Sequence, residues 1–322
     1  MRGSEMQRNR ARALVVGFMV VLGATAQAVT LDWVTVGNAP NAPDDTTYGA
    51  VAYEYRMSTC ETTAGQYTEF LNAVAATDTY GLYNTGMAGT YGCGIVRSGS
   101  SGGYTYSVTP DWANRPVNYV SFSDVARFAN WMHNGQGSGD TETGAYIAFA
   151  RQPGALFFIP TEDEWYKAAY YDPNKPGGAG YWDYPTRSDT APTAEAPPGG
   201  SNSANFNSAV GSPFWTNEVG AYLDAASAYG TFDQGGNLFE WNETVLYTDY
   251  HGVRGGSWDY PAYYLSASCR DEYAPLYGEH YGLGFRLAGL LGSESTTIPE
   301  PATLSLFGLA AAALLRRRRR RA

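Results

Sequence analysis

The sequence is poor in the residue types that most often build metal centres. It has only three histidines, His133, His251 and His280; no two stand four residues apart, and they form no H-x-H motif. Their spacing therefore does not indicate a zinc or iron site with several histidine ligands. No G-x-G-x-x-G stands between a strand and a helix pattern. The glycine-rich stretch Gly135–Gly144 follows a helix pattern, so we interpret it as a loop and not as a phosphate cradle.

Cysteine is also scarce. The chain has three cysteines, Cys60, Cys93 and Cys269, so at least one stays unpaired in an oxidising compartment. Cys60 and Cys93 lie in the same N-terminal third and are a candidate disulfide pair. The alternative is that all three cysteines are reduced and buried as small apolar residues.

The N-terminus carries an export pattern. Four arginines within residues 2–12 precede an apolar run that ends on Ala26-Gln27-Ala28. A basic head, a short apolar core and an A-x-A exit are typical of a secretory signal peptide. We therefore predict a signal peptide over residues 1–28 and a mature chain that starts at Val29.

The C-terminus carries a second pattern, over residues 293–322. It contains Pro299-Glu300-Pro301, about a dozen apolar residues and the six arginines Arg316–Arg321. The apolar stretch is shorter than the roughly twenty residues of a stable membrane span, and the basic cluster fits the cytoplasmic side. This order resembles the PEP-CTERM sorting signal, which implies cleavage by the transpeptidase exosortase after transient inner-membrane anchoring. It also implies the cell surface or extracellular matrix of a bacterium with an outer membrane; a plain tail anchor is the alternative.

The mature part is strongly acidic. The full chain has 21 basic and 31 acidic residues, and ten of the basic residues are the arginines of the two terminal signals. Without these arginines and without Glu5 and Glu300, 11 basic and 29 acidic residues remain, a net charge of −18. Nucleic-acid binding is not expected, because phosphate contacts need Lys and Arg. The composition favours a soluble extracellular protein or one that collects divalent cations.

Three helices and four strands are predicted between these signals. The helices lie in TTAGQYTEFLNAV, where Thr63 and Gln66 have capping-box spacing, in SFSDVARFANWMHNG, where we expect Ser123 as the N-cap, and in PTEDEWYKAAYYDP, capped by Thr161. Strand patterns are AVAYEYRMS, LFFIP, HGVRGGSW and GLGFRLA. The Pro-, Gly-, Ser- and Asn-rich stretch 177–211 is interpreted as a long loop. Few helices and short strands indicate an irregular α+β domain.

Five blocks occur in order along this region: NRPVNYVSFSDVARFANWMHNG, FFIPTEDEWYKAAYY, YGTFDQGGNLFEWNE, VRGGSW and GLGFRLAG. Together they resemble the sulfatase-modifying-factor family, whose best-known member is the formylglycine-generating enzyme. The resemblance covers roughly Thr35 to Gly289. It implies one loop-rich α+β domain with a C-type-lectin-like fold of the formylglycine-generating-enzyme type over residues 29–292.

The resemblance also implies structural calcium. Calcium takes carboxylate and carbonyl oxygens on flexible loops, and FDQGGNLFEW matches a turn that binds it in the family. Carried over by position, the ligands are Asp233, the carbonyls of Gly236 and Leu238, and Glu240. A second family site begins at positions matching Asn205 and Phe206, but its later acidic ligand has no clear counterpart here. An acidic turn without an ion is the alternative.

Copper is not expected. Formylglycine-generating enzymes hold copper(I) between two cysteines shortly after RGGS, and those positions are Tyr260 and Leu265 here. Copper(I) requires soft thiolate ligands. Cys269 falls near a family cysteine that forms a structural disulfide, but the partner position on the helix is Ala169. The formylglycine-generating reaction is therefore not predicted.

Two classes of function remain. The first is a non-catalytic scaffold that binds polysaccharide or a surface protein in the groove after RGGS, because flat aromatic faces pack on sugars and peptides. The predicted binding residues are Trp258, Tyr260, Tyr263, Tyr264, Asp271 and Glu272. The alternative is a metal-dependent oxidoreductase of the same family that uses other ligands, for which Glu272, Glu279, His251 and His280 are candidates. The competing explanation for the tyrosines is that they fill the space of the missing cysteines.

Overall fold

The structure is a computed structural model that describes residues 28–247 and 250–292. The predicted signal peptide, apart from Ala28, and the predicted sorting segment 293–322 lie outside these residues. Within the described part, no helix combines the length and the apolar character that a membrane crossing needs.

Capping residues set the starts of the three longer helices. The helices are α1 (Ala64–Val74), α2 (Pro110–Ala113), α3 (Phe122–His133) and α4 (Glu162–Tyr170), and 3-10 turns span Thr85–Ala88 and Ala262–Leu265. Thr63 with Gln66 and Thr161 with Glu164 form the predicted capping boxes. The N-cap of α3 is Ser121 and not the predicted Ser123. The Ser121 side chain accepts from the Asp124 amide, and the Asp124 carboxylate accepts from the Ser121 amide at 2.9 Å, which completes a capping box.

The strands are short. They are β1 (Trp33–Val36), β2 (Tyr55–Ser58), β3 (Ile95–Ser98), β4 (Thr105–Val108), β5 (Tyr146–Ile147), β6 (Ala150–Arg151), β7 (Phe157–Phe158), β8 (Tyr171–Asp172), β9 (Gly180–Tyr181), β10 (Thr193–Ala194), β11 (Ser203–Ala204), β12 (Phe239–Tyr247), β13 (Tyr250–Arg254), β14 (Asp271–Pro275), β15 (Leu283–Gly284) and β16 (Ala288–Gly289). All four predicted strand patterns contain observed strands.

Two four-stranded sheets organise the described residues. One has the order β1-β2-β16-β7 with antiparallel neighbours, so the last strand lies between two earlier ones. The other has the order β14-β13-β12-β15, in which β12 and β15 run parallel. The mixture of helices and irregular sheets confirms the predicted α+β class. The long loop interpretation of 177–211 needs one correction, because the stretch includes β9, β10 and β11.

The core is aromatic and connects the helices to the sheets. Phe70 of α1 and Phe128 of α3 meet edge-on at a centroid distance of 5.4 Å, and Phe128 meets Phe285 at 5.3 Å. Trp241 on β12 is fully buried, and its indole N–H donates to the carbonyl of Val120 at 3.0 Å. This core includes Trp241 near the start of β12 and Val253 near the end of β13, and these two strands adjoin the FDQGGNLFEW turn and the RGGS turn.

Candidate functional site

The chain after β13 turns at two glycines. Gly255 and Gly256 have φ angles of +99° and +75°, where other residues are strained. A Cβ at Gly256 would lie 2.8 Å from Cδ1 of Leu265, and one at Gly255 would lie 2.8 Å from the carbonyl oxygen of Gln234. The turn therefore requires glycine for conformation and for space, and it directs the chain into the segment Ser257–Leu265.

The two positions matched to the copper-binding cysteines lie in different apolar clusters. Tyr260 is partly buried, and its ring meets Phe239 edge-on at a centroid distance of 5.0 Å. Leu265 is fully buried and packs with Ala204 and Phe206. Copper(I) needs soft ligands, and neither a phenol nor an isobutyl group is one. The residues present here do not fit copper(I).

The three cysteines all lie in the described residues and form no disulfide with one another, so the candidate pair Cys60 and Cys93 is not bridged. Burial raises the pKa of the Cys60 thiol to about 12 and that of Cys93 to about 11. The thiolate is the form that binds metals and attacks electrophiles, so at neutral pH these two thiols stay protonated. Cys269 is buried, and its carbonyl oxygen accepts a hydrogen bond from Arg254 Nη1 at 2.7 Å.

Trp258 packs against three aromatic residues from distant segments, and we term the four residues the aromatic cluster. Trp258 lies 5.0 Å from Trp215, 5.7 Å from Tyr91 and 5.6 Å from Tyr281 between ring centroids. Tyr91 also contacts Trp215 at 5.5 Å and Tyr281 at 5.3 Å. Tyr91 is 43% exposed, whereas Trp258 is 4% exposed. The aromatic cluster thus presents the ring of Tyr91 to solvent, with the buried ring of Trp258 packed against it.

Polar groups hold the edge of the aromatic cluster. The Asp259 carboxylate accepts hydrogen bonds from Ser257 Oγ at 2.5 Å and from the Tyr281 hydroxyl at 2.9 Å. Partial burial and this carboxylate raise the pKa of Tyr281 to about 12. Nδ2 of Asn118 donates to the carbonyls of Tyr91 and Tyr281, both at 2.7 Å. Asn118 therefore holds Tyr91 and Tyr281, which are distant in sequence, side by side.

The structure divides the predicted binding residues. Trp258 belongs to the aromatic cluster, whereas the ring of Tyr264 packs on Tyr260 at 4.7 Å. Tyr263 is 63% exposed. Asp271 and Glu272 lie on β14 beside β13, and their side chains are outside the described part of the structure. Sequence reasoning missed the other three cluster residues, since each stands in an aperiodic loop, and only the aromatic content of 15% hints at them.

The acidic turn after Phe232 is half-buried at Asp233, buried from Gln234 to Glu240, and already well bonded. Asp233 accepts hydrogen bonds from Asn217 Nδ2 at 3.1 Å and from the Gly220 amide at 2.6 Å. Glu240 pairs with Arg286 through two hydrogen bonds of 2.6 and 2.7 Å, and both side chains are fully buried. The indole N–H of Trp165 donates to the same carboxylate at 2.7 Å.

A third carboxylate, Glu61, belongs to this buried group. Its Oε2 accepts a hydrogen bond from Asn237 Nδ2 at 2.7 Å, whereas its Oε1 is buried without a partner. Burial, followed by the charges of Asp233 and Glu240, raises the pKa of Glu61 well above its ordinary value. Burial also raises the pKa of Asp233. Of these three acidic residues, only Glu240 pairs with the Arg286 guanidinium.

This crowding of acidic side chains is compatible with calcium at the turn. Asp233 and Glu240 supply carboxylate oxygens, and the backbone between them supplies carbonyls, the donor set that calcium prefers. Among the described residues, no three His, Cys, Asp or Glu side chains are grouped to hold a metal, so the carbonyls would have to complete such a site. At the second family site, Asn205 Oδ1 accepts from the Val210 amide at 3.4 Å, and Asn205 Nδ2 donates to the carbonyl of Trp215 at 2.8 Å. The carbonyl of Phe206 accepts from the Ala209 amide.

The residues named as candidate metal ligands of an oxidoreductase each pack against different neighbours. His251 is buried, and its ring stacks on Phe122 at a centroid distance of 3.5 Å. Glu279 accepts a hydrogen bond from Asn84 Nδ2 at 2.5 Å. The ring of His280 lies 3.9 Å from that of Tyr281, at the edge of the aromatic cluster. These contacts account for each residue as part of the packing.

Comparisons with known proteins agree with this architecture. The chain matches the sulfatase-modifying factor enzyme 1-like domain over residues 18–290 and the PEP-CTERM protein-sorting motif over residues 297–320. Treponema denticola variable protein 1 is similar in structure, with a TM-score of 0.52, 19% identity, and coverage of 83% of this chain and 98% of that one. CarF has a TM-score of 0.52 and 22% identity, covering 81% and 99%. At these identities the likeness shows the fold alone.

No curated protein matches the sequence significantly. The family match nevertheless spans most of the chain, and the similar structures have the same fold over more than four fifths of it. The chain belongs to the sulfatase-modifying factor enzyme 1-like domain family.

Proposed function

We propose that this protein is a binding scaffold and not a formylglycine-generating oxidase. The observation that carries the proposal is the pair Tyr260 and Leu265, which stand where the oxidases that the sequence resembles hold copper(I). One of these side chains is packed against Phe239 and the other is buried in a second apolar cluster. Because copper(I) requires soft ligands, these two positions lack the groups that would hold the ion for oxygen activation.

The binding surface that we propose is the aromatic cluster, and the partner is an extracellular polysaccharide. Aromatic rings pack on the C–H faces of sugars, and polar groups at their edge bind hydroxyls. Tyr91 offers an accessible ring, and Asp259 lies beside Tyr281 as a hydrogen-bond acceptor. The aromatic cluster therefore combines the two kinds of group that sugar binding needs.

The sorting motif indicates where the proposed scaffold is located. The PEP-CTERM match supports export, exosortase-dependent sorting and association with the cell envelope. We propose further that the tail is cut near Pro299–Pro301 after brief anchoring in the inner membrane. The mature domain would then stay on the cell surface or in the extracellular matrix by binding polysaccharide.

A structural calcium ion at the Asp233–Glu240 turn is also part of the proposal. Its support is the crowding of the carboxyl groups of Glu61, Asp233 and Glu240, of which only Glu240 pairs with Arg286. Burial of unpaired charge is costly, so without an ion the raised pKa values of Glu61 and Asp233 favour protonation, whereas a divalent cation would hold both groups as carboxylates. Calcium would then stabilise the domain and take no part in a reaction.

Retention on polysaccharide tests the proposed function. The mature protein is passed over immobilised extracellular polysaccharide from the bacterium that produces it, and we expect retention. Tyr91→Ala should elute early, whereas Tyr250→Ala, which removes a tyrosine of matching 41% exposure outside the aromatic cluster, should behave as the wild type. Failure of the wild-type protein to be retained, or retention that occurs only when a surface protein is present, would contradict the proposed function.

A further inference from the structure

The aromatic cluster contains two indole N–H groups without a hydrogen-bond partner. The Nε1 atoms of Trp215 and Trp258 are buried, and neither has a protein acceptor. The amide oxygen of Asn118, whose nitrogen joins the backbones of Tyr91 and Tyr281, is also buried without a donor. Unpaired buried polar groups carry a free-energy penalty and are rare in native proteins. Three of them at one place call for an explanation.

Other buried tryptophans do not share this property. The indole N–H groups of Trp131, Trp165 and Trp241 donate to Gly137, Glu240 and Val120 at 3.1, 2.7 and 3.0 Å. The fold therefore satisfies buried indoles where they serve packing alone. The unpaired donors of Trp215 and Trp258 are a local property of the aromatic cluster.

The backbone at Trp215 is strained as well. Its φ angle is +61°, which is uncommon for a bulky residue, and such residues cluster at active sites, ligand clamps and switch regions. The conformation is held from both sides, because the Trp215 amide donates to the Gly211 carbonyl and the Trp215 carbonyl accepts from Asn205 Nδ2, each at 2.8 Å. The backbone is thus fixed, whereas the side chain is only partly buried and makes no hydrogen bond of its own.

The surrounding chemistry selects the class of ligand. A pyranose ring with equatorial hydroxyls has flat apolar faces that stack on indole rings, and its oxygens both accept and donate hydrogen bonds. The two indoles can only donate, and the Asp259 carboxylate, which accepts two hydrogen bonds, has further acceptor capacity. The carboxylate and the acidic mature part, with a net charge of −18, disfavour an anionic sugar.

We propose that the aromatic cluster is a subsite for a neutral β-linked glucan, one sugar ring of which lies between Trp215 and Trp258. The Trp215 side chain rotates away from Trp258 to admit the ring. Both indole N–H groups then donate to sugar oxygens, and Asp259 accepts from a hydroxyl. This inference rests on the proposed polysaccharide-binding function and adds the sugar class and the residues that select it.

Calorimetric titration with cellohexaose tests the inference, and hexagalacturonate serves as the anionic probe. The wild-type protein should bind cellohexaose and not hexagalacturonate. Trp215→Phe and Trp258→Phe keep an aromatic ring and remove the N–H, and each should weaken binding about tenfold. Trp182→Phe is the matched control, because the Trp182 N–H donates to Asp172 outside the cluster; its affinity should be unchanged. Melting curves establish that each variant is folded.

The outcomes separate this inference from the proposed function. Retention on the native polysaccharide without cellohexaose binding would overturn the neutral-glucan assignment and leave the proposed function standing. Equal affinity of the wild type and both cluster variants would overturn the role of the indole donors. Equal or tighter binding of hexagalacturonate would overturn the charge argument. If the wild-type protein is not retained on the native polysaccharide, the proposed function fails first.

Discussion

Replacement of Glu240 by glutamine should destabilise the domain strongly, whether or not calcium binds. Glu240 and Arg286 are fully buried, and the carboxylate accepts two hydrogen bonds from Arg286 and one from Trp165. Glu240→Gln removes the negative charge and directs an amide donor at the donors around it. Loss of one partner of a buried ion pair costs about 3–5 kcal/mol. For a domain of this size that corresponds to a melting temperature lower by about 6–20 °C.

The control is Asp189→Asn, a carboxylate-to-amide substitution at an accessible pair. Lys175 and Asp189 are 2.8 Å apart, and their side chains are 20% and 50% exposed. Pairs of this kind contribute about 0–1 kcal/mol. Urea denaturation of both variants is compared with that of the wild type in excess chelator, so that calcium does not contribute. A free-energy loss below about 1 kcal/mol for Glu240→Gln, or one equal to that of the control, would refute the buried-pair argument.

The remaining predictions concern metals, processing and pH. Chelation should lower the melting temperature of the wild type, because a hundredfold calcium excess over Kd adds about 2.7 kcal/mol to the free energy of unfolding. Asp233→Asn should abolish the difference between melting curves with and without chelator, and an unchanged wild-type curve would contradict the calcium proposal. Intact mass of surface-extracted protein should show cleavage near Pro299–Pro301, and detection of the six C-terminal arginines would contradict it. Burial raises the pKa of Asp124 to about 7 from 3.8, so the folded state holds this proton more tightly and stability should fall as pH rises between about 4 and 7; Asp124→Asn should flatten that dependence in denaturation at several pH values. The double variant Tyr260→Cys with Leu265→Cys should bind one equivalent of copper(I), which the Tyr260→Cys single variant should not; no uptake would mean that this segment is wrongly aligned with the oxidases.

Local signals made the helices predictable. Thr63 with Gln66 and Thr161 with Glu164 place complementary groups three residues apart, and this spacing fixes a helix start without help from the rest of the fold. At α3 two serines compete, and the carboxylate of Asp124 selects Ser121. The two-residue strands carry too little periodicity to predict their pairing, so the insertion of β16 between β2 and β7 was not foreseeable.

The candidate site was only partly predictable for a related reason. Trp258 follows a glycine turn that the sequence marks clearly, whereas the other members of the aromatic cluster come from three remote loops. Loop residues have no hydrophobic period, and only tertiary contacts bring them together. The pairing of Glu240 with Arg286 was hidden in the same way, because 46 positions separate the two residues. The calcium ligands were matched by sequence position, and this match did not show that the Arg286 guanidinium lies beside Glu240.

Metal analysis of the mature protein, purified from its producing bacterium without chelators, tests the central claim most directly. The claim is that the positions of the oxidase thiols, now Tyr260 and Leu265, no longer serve a metal-dependent oxidation. We expect calcium and no stoichiometric copper or iron. One equivalent of copper or iron per chain would contradict the proposed scaffold function and favour the alternative, a metal-dependent oxidoreductase.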